Sequence, residues 1–185
     1  MNEDDIVLID FDGNLIEGNK KPSSEKFLHT QIYDLRDDIH AIIHSHCPYI
    51  TAFACVGKEI AEPMLPEFVF NIDKVPLAPY NLPSSMQLAI DTAALFKDKD
   101  NVLMQNHGIV SGGSSLQQVF YNLESIRAYC ETYFAAQVLG GHKNLNKKQV
   151  KETKNLKLSN RKYNNKCQLK LFRLKQEKLP KRLAL

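Results

Sequence analysis

Three histidines are spaced so that their rings have a chance of sharing one ion. His44 and His46 flank Ser45 at the end of the apolar run Ala41-Ile42-Ile43. On a strand, side chains two residues apart leave the same face, so both imidazoles are offered to a common ligand. Neutral imidazole nitrogen suits zinc, and three protein ligands with one open position is the arrangement of catalytic sites. A lone H-x-H pair also fits ordinary surface or core histidines. His107 is the third candidate, after Val102-Leu103-Met104 and before Gly108. Spacing alone ranks it with His29, His40 and His142. His29 falls on an expected helix and His40 follows an acidic stretch, so both suit solvated roles.

Bringing such residues together needs strands and helices in alternation. Ile6-Val7-Leu8-Ile9, the turn pair Asp12-Gly13 and Leu15-Ile16 predict a hairpin. Ser23 or Ser24 is placed to cap a helix with Glu25 in its first turn, where the dipole favours a carboxylate. Phe27, Leu28, Ile32 and Leu35 supply its expected buried face. A strand over 41–46 ends before Pro48, and a short apolar helix over 50–56 stops at Gly57. A strand at 75–78, a helix opened by Ser84 or Ser85 and running to Phe96, and a strand at 102–104 follow. The clearest helix spans 115–139, with Leu116, Val119, Phe120, Leu123, Ile126, Cys130, Tyr133, Phe134 and Val138 three or four apart. Ser115 with Gln118 forms a capping box, and Gly140-Gly141 is its stop. The alternation predicts an α/β layered domain over residues 1–157. Residues 145–158 suit a short basic helix. Residues 158–185 read as a Lys/Asn-rich tail without a steady apolar period, expected to be disordered.

Composition narrows the function classes. The chain has 185 residues, 43% of them hydrophobic, enough for one packed core. No apolar run is long enough for a membrane helix, and the acidic Met1-Asn2-Glu3-Asp4-Asp5 is unlike an export signal. Cys47, Cys55, Cys130 and Cys167 have no C-x-x-C spacing, which fits reduced thiols in a cytoplasmic protein. The net charge of +3 hides an asymmetry: residues 143–185 carry 15 Lys and Arg against two acids, whereas residues 1–142 carry 9 basic and 19 acidic residues. The acidic body is not a phosphate-backbone binder, and neither specific nucleic acid nor a membrane is an expected partner.

Other residues invite chemistry with plainer alternatives. Asp10-Phe11-Asp12-Gly13 resembles a phosphatase nucleophile motif, but Asn14 replaces its Thr and Asp-Gly is a favoured turn. Cys47 is either a soft ligand or a small buried hydrophobe. Glu67 and Tyr80 are candidates for a cleft, or for a solvated loop and a packed strand end.

A resemblance joins these fragments. Lys21-Pro22-Ser23-Ser24-Glu25, Ile32-Tyr33 and Ala41-Ile42-Ile43-His44-Ser45-His46 resemble the central signature of class II aldolases of the L-fuculose-phosphate aldolase type. Val75-Pro76-Leu77-Ala78-Pro79-Tyr80, Gln105-Asn106-His107-Gly108 and the long helix are similar to that family in the same order. The resemblance implies a three-layer α/β/α sandwich, incomplete at its N-terminus because the family pattern places a longer segment ahead of Ile6. It implies a homotetramer with active sites between subunits. His44, His46 and His107 are then ligands of a divalent metal, most naturally zinc. Glu25 is the acid/base carboxylate that also reaches the metal, and Ser23 and Ser24 contact phosphate. The implied reaction cleaves a ketose 1-phosphate to dihydroxyacetone phosphate and an aldehyde through a metal-stabilised enediolate. Pentulose-phosphate epimerisation, methylthioribulose-phosphate dehydration and decarboxylation stay open on the same site. Glu25 stands where the epimerase type has Asp, which favours aldol cleavage. An adducin-like scaffold or an inactive fragment is the non-catalytic alternative, against which the three histidines and Glu25 speak.

Overall fold

The computed structural model describes residues 5–156. The expected tail over 158–185 lies outside the described residues. The first elements are the two short strands β1 (Leu8–Ile9) and β2 (Leu15–Glu17), antiparallel to one another. Their turn is held by Asp10, whose carboxylate accepts from Asn14 N at 2.7 Å and Asn14 Nδ2 at 3.0 Å. Gly13 supplies a positive φ of 80°. Asp10 is therefore a turn residue, as the hairpin reading expects.

Helix α1 (Lys26–Leu35) follows. Glu25 occupies its cap position and is not in the first turn; the Ser23 hydroxyl accepts from Glu25 N at 3.2 Å and no side chain caps the helix. The expected serine cap is thus displaced by one short turn. Leu28 and Ile32 are buried, but Leu35 is 40% exposed, because the chain turns extended at Arg36. Arg36 anchors that exit: its guanidinium forks onto Asp38 at 2.6 Å and donates to the Phe96 carbonyl at 2.7 Å and to Asp100 at 3.1 Å.

The main sheet contains β3 (Ala41–Ser45), β4 (Leu77–Ala78), β5 (Asn101–Met104) and β6 (Gly108–Gly113), ordered β3-β6-β5-β4. β6 runs antiparallel to both its neighbours, and β4 is parallel to β5. All six residues of β6 are buried. The apolar signal there is only Ile109-Val110, because Ser111-Gly112-Gly113 offers no large apolar side chain. The glycines serve close approach: a Cβ on Gly112 would lie 2.9 Å from Ile39 Cδ1 and 3.1 Å from Phe96 Cε1.

Alternate strand residues feed two cores. Leu103 and Ile109 join Ile50, Phe68, Val119, Ile126 and Tyr129, on the side of α2 (Pro48–Cys55), α3 (Pro66–Asn71) and α5 (Leu116–Val138). Val102, Met104 and Val110 join Leu28, Ile32, Leu88 and Phe96, on the side of α1 and α4 (Met86–Leu95). Helices thus cover both faces of one mixed sheet, a three-layer α/β architecture. α3 was not foreseen; at six residues it is too short to display a period. In α5 the buried stripe is Val119, Leu123, Ile126, Tyr129 and Cys130. Leu116, Phe120, Phe134 and Val138, expected in that stripe, are 53–74% exposed. Ser115 caps the helix through Gln118 N at 3.3 Å, while Gln118 Oε1 turns back to Ser114 and not to Ser115. Residues 147–156 are helical, within the span expected. No helix among the described residues is long and apolar enough to cross a membrane.

Candidate metal centre

His44 lies on β3 with the same parity as Ile42, which packs into the core beside α1, so its ring faces Glu25 at that helix's start. Its Nδ1 is 3.0 Å from the carbonyl oxygen of Ile109 on β6. A carbonyl only accepts, so Nδ1 carries the proton and the Nε2 lone pair is left for the cluster. His46 is the first residue beyond β3, not its last as expected, yet its Nε2 still comes within 2.9 Å of His44 Nε2. His107 ends the three-residue connection between β5 and β6, donating its backbone N–H to Met104 O at 3.0 Å. The turn is completed by Asn106 at φ 57°, a left-handed conformation that asparagine tolerates.

The rings meet closely. Centroids of His44 and His46 are 4.7 Å apart, and His107 is 4.9 Å from each. Glu25 closes the group, with Oε2 3.1 Å from His44 Nε2 and Oε1 3.4 Å from His107 Nε2. One ligand-capable atom from each of the four lies within 4.8 Å of the others. Gly108 makes this approach feasible: a Cβ there would sit 2.5 Å from Ser45 O and 2.8 Å from His46 Cδ2.

The donor set fits a divalent cation. Three imidazoles and a carboxylate on a partly buried floor match zinc's preference for nitrogen and oxygen. Glu25 Oε1 and His107 Nδ1 are buried without a hydrogen-bond partner, and the 3.4 Å contact of Oε1 lacks hydrogen-bond alignment. A buried acceptor left so is costly unless a partner such as a cation compensates it. Burial is the main cause that pushes the His44 and His107 imidazoles below their ordinary range, against the opposing pull of Glu25. The shift favours the neutral ring, the form that ligates metal.

The remaining candidates separate. Ser23 and Ser24 are exposed at the start of α1, Ser24 Oγ accepting from Ser84 Oγ at 3.0 Å. Cys47 packs against the α5-side core and is outside the cluster, Glu67 is exposed in the first turn of α3, and Tyr80 is 57% exposed. His40 is solvated as expected. His29 is not: it lines an apolar cleft of about 380 Å³ between the hairpin and α1, and burial and His44 lower its pKa. His142 is bound elsewhere, its Nε2 2.7 Å from Glu62 Oε2. Glu25 and the three histidines are brought together from an α1 cap, the end of β3 and a hairpin turn. Periodicity could point to each element but not to their meeting.

Fold and cluster define a three-layer α/β protein with a trihistidine–glutamate centre able to hold a divalent cation. The chain belongs to the class II aldolase and adducin N-terminal domain family, which it matches over residues 1–134. It is 40% identical over 124 residues to an L-fuculose phosphate aldolase of Methanocaldococcus jannaschii, covering 67% of this chain and 66% of the relative. It is 30% identical over 136 residues to a 3-oxo-tetronate 4-phosphate decarboxylase of Haemophilus influenzae, covering 71% of this chain and 64% of the relative. Among solved structures, an L-fuculose 1-phosphate aldolase superposes with a TM-score of 0.75 at 31% identity, over 84% of this chain and 73% of that one. The matched segment spans just under two-thirds of the length of these curated relatives, 66% and 64%.

Proposed function

We propose that residues 1–157 form a metal-dependent aldolase domain that cleaves a ketose 1-phosphate of the L-fuculose phosphate kind to dihydroxyacetone phosphate and an aldehyde. The observation that carries this reading is the convergence of Glu25, His44, His46 and His107 within 4.8 Å, with Glu25 Oε1 unsatisfied. The relatives named as aldolases support the substrate class.

In this reading His44, His46 and His107 are the metal ligands, and zinc is the natural occupant for such a set. A divalent cation held there supplies Lewis-acid stabilisation of the negative charge left on the ketose fragment when the C3–C4 bond breaks. The hydrogen bond from His44 Nδ1 to Ile109 O fixes ring orientation and keeps Nε2 basic. Glu25, 3.1 Å from His44 and 3.4 Å from His107, takes and returns the proton as general base and acid. Its place at the cap of α1 lets the carboxylate swing from the imidazoles without disturbing the helix. Ser23 and Ser24 present exposed hydroxyls beside the same helix N-terminus, a favourable setting for the substrate phosphate. The family resemblance adds a cytoplasmic homotetramer to the proposal.

Decarboxylation of a 3-oxo acid phosphate is the second reading, favoured by the decarboxylase relative. Both reactions break a carbon–carbon bond and leave the same kind of charge, so the cluster serves either. Protein supplied with zinc and L-fuculose 1-phosphate should release dihydroxyacetone phosphate, detected by coupled NADH oxidation. Chelation should stop the release and zinc restore it. Glu25→Gln should retain zinc but lose about a hundredfold or more in turnover. Carbon dioxide release from a 3-oxo acid phosphate, without activity on the ketose phosphate, would establish the second reading instead. Folded, zinc-loaded protein inert towards both would overturn the assignment.

A further inference from the structure

At the end of the sheet remote from the histidines, a cleft of about 500 Å³ opens between β5, α5 and the loop after α3. Its lining includes Asp73, Asp98, Lys99, Asn101, Gln118 and Asn122. The volume exceeds many times the roughly 30 Å³ share of one water and lies in the range of about 300–1,000 Å³ of ligand sites. We propose that it is a second binding site, for a small neutral polyhydroxylated molecule such as a free sugar or a cyclitol.

Asn101 carries the argument. It is only 5% exposed, it lines the cleft, and its Oδ1 has no hydrogen-bond partner. As the first residue of β5 it shares the α5-facing side with Leu103. Opposite it in register on β6 is Ser111, fully buried, with Oγ also unpartnered. A buried acceptor in this state bears the whole desolvation penalty of a missing bond. Around it are further unspent groups. Gln118 commits its Oε1 to Ser114, leaving Nε2 without a partner among the described residues. The Asn122 amide, one helical turn along α5, has none there either.

Charge identifies the ligand class. Asp73 is paired with Lys154 at 2.7 Å, Asp100 with Arg36 at 3.1 Å, and Lys74 with Glu59 at 2.7 Å. Asp98 and Lys99 then leave one charge of each sign, so the cleft favours neither an anion nor a cation. No second group of metal-ligating side chains converges among the described residues. Hydroxyl groups both donate and accept, which matches donors at Gln118 and Lys99, both capacities at Asn122, and the Asn101 side chain at the floor.

The test uses the full chain labelled with nitrogen-15, titrated separately with D-glucose, myo-inositol, glycine and inorganic phosphate. Either polyol should move the side-chain amide signals of Asn101, Gln118 and Asn122 saturably. Asn122→Leu should weaken that binding about tenfold without changing the melting temperature, and Asn101→Leu, which removes the floor acceptor, should do the same wherever it folds. Three results would overturn the proposal: no saturable shift at these amides with either polyol, tighter binding of glycine or phosphate there, or unchanged polyol affinity in Asn122→Leu.

Discussion

Replacing Gly108 by alanine should damage the proposed metal centre through one methyl group. The new Cβ would lie 2.5 Å from Ser45 O, whereas real Cβ contacts essentially never fall below 3.0 Å, so β3 and β6 must separate locally by about 0.5 Å. The obstacle is backbone at the last pair of the β3–β6 ladder, and it cannot swing away as a side chain can. The same methyl sits 2.8 Å from His46 Cδ2 and displaces that ring. Metal–ligand distances tolerate only about 0.2 Å, so a shift of this size should cost at least about tenfold in zinc affinity. Overpacking should also lower stability by about 1–3 kcal/mol. Gly112→Ala, on the same strand, is the control. Its Cβ meets the buried side chains of Ile39 and Phe96 and neither backbone nor a histidine, so the variant should lose stability but bind zinc as the parent does. Zinc competition against a chromogenic chelator, with thermal melts, reads both quantities. If Gly108→Ala binds zinc within twofold of the parent, or if Gly112→Ala loses as much affinity, the steric argument fails.

Metal-free stability should depend on pH in a stated direction. Burial lowers the pKa of His29, His44 and His107 below the ordinary 6.5. The unfolded chain therefore takes up protons first as pH falls through 6.5. The stabilisation from neutral burial is fully present above that value and is lost below it; a melting temperature that rises on acidification from about pH 7 to 5.5 would contradict this. Tyr129→Phe removes the bond from the phenol to Glu62 O at 2.8 Å and should cost about 0.5–1.5 kcal/mol in urea unfolding, with zinc affinity unchanged. Ser115→Ala removes the cap of α5 and should cost about 1 kcal/mol by the same measurement. A neutral result there would mean that Gln118 alone, through Ser114, secures the helix start.

Much of the architecture was legible because local chemistry and period agree. Val102-Leu103-Met104 between turn signals reads as a strand, and the α5 pattern between Ser115 and Gly140 had both its ends marked. Where the reading erred, tertiary context outweighed the local signal. Ser111-Gly112-Gly113 carries no apolar signal, yet these residues continue β6 and pair with β3. Leu116, Phe120, Phe134 and Val138 fit the apolar period of α5, yet only one side of that helix meets the sheet. His29 looked solvated on its helix, and the hairpin folded against α1 made it half-buried.

The sequence by itself determined the donors and the elements that carry them: a carboxylate where a helix begins, paired imidazoles where a strand ends, and a third imidazole at a glycine-bounded turn. These are properties of neighbouring residues, written in spacing and turn chemistry. Only the tertiary structure decided that Glu25, His44 and His107, separated by up to 82 positions in the chain, meet with both imidazoles within 3.4 Å of the Glu25 carboxylate. That meeting follows from the β3–β6–β5 register and from α1 packing on the same sheet face, long-range choices that no local period encodes.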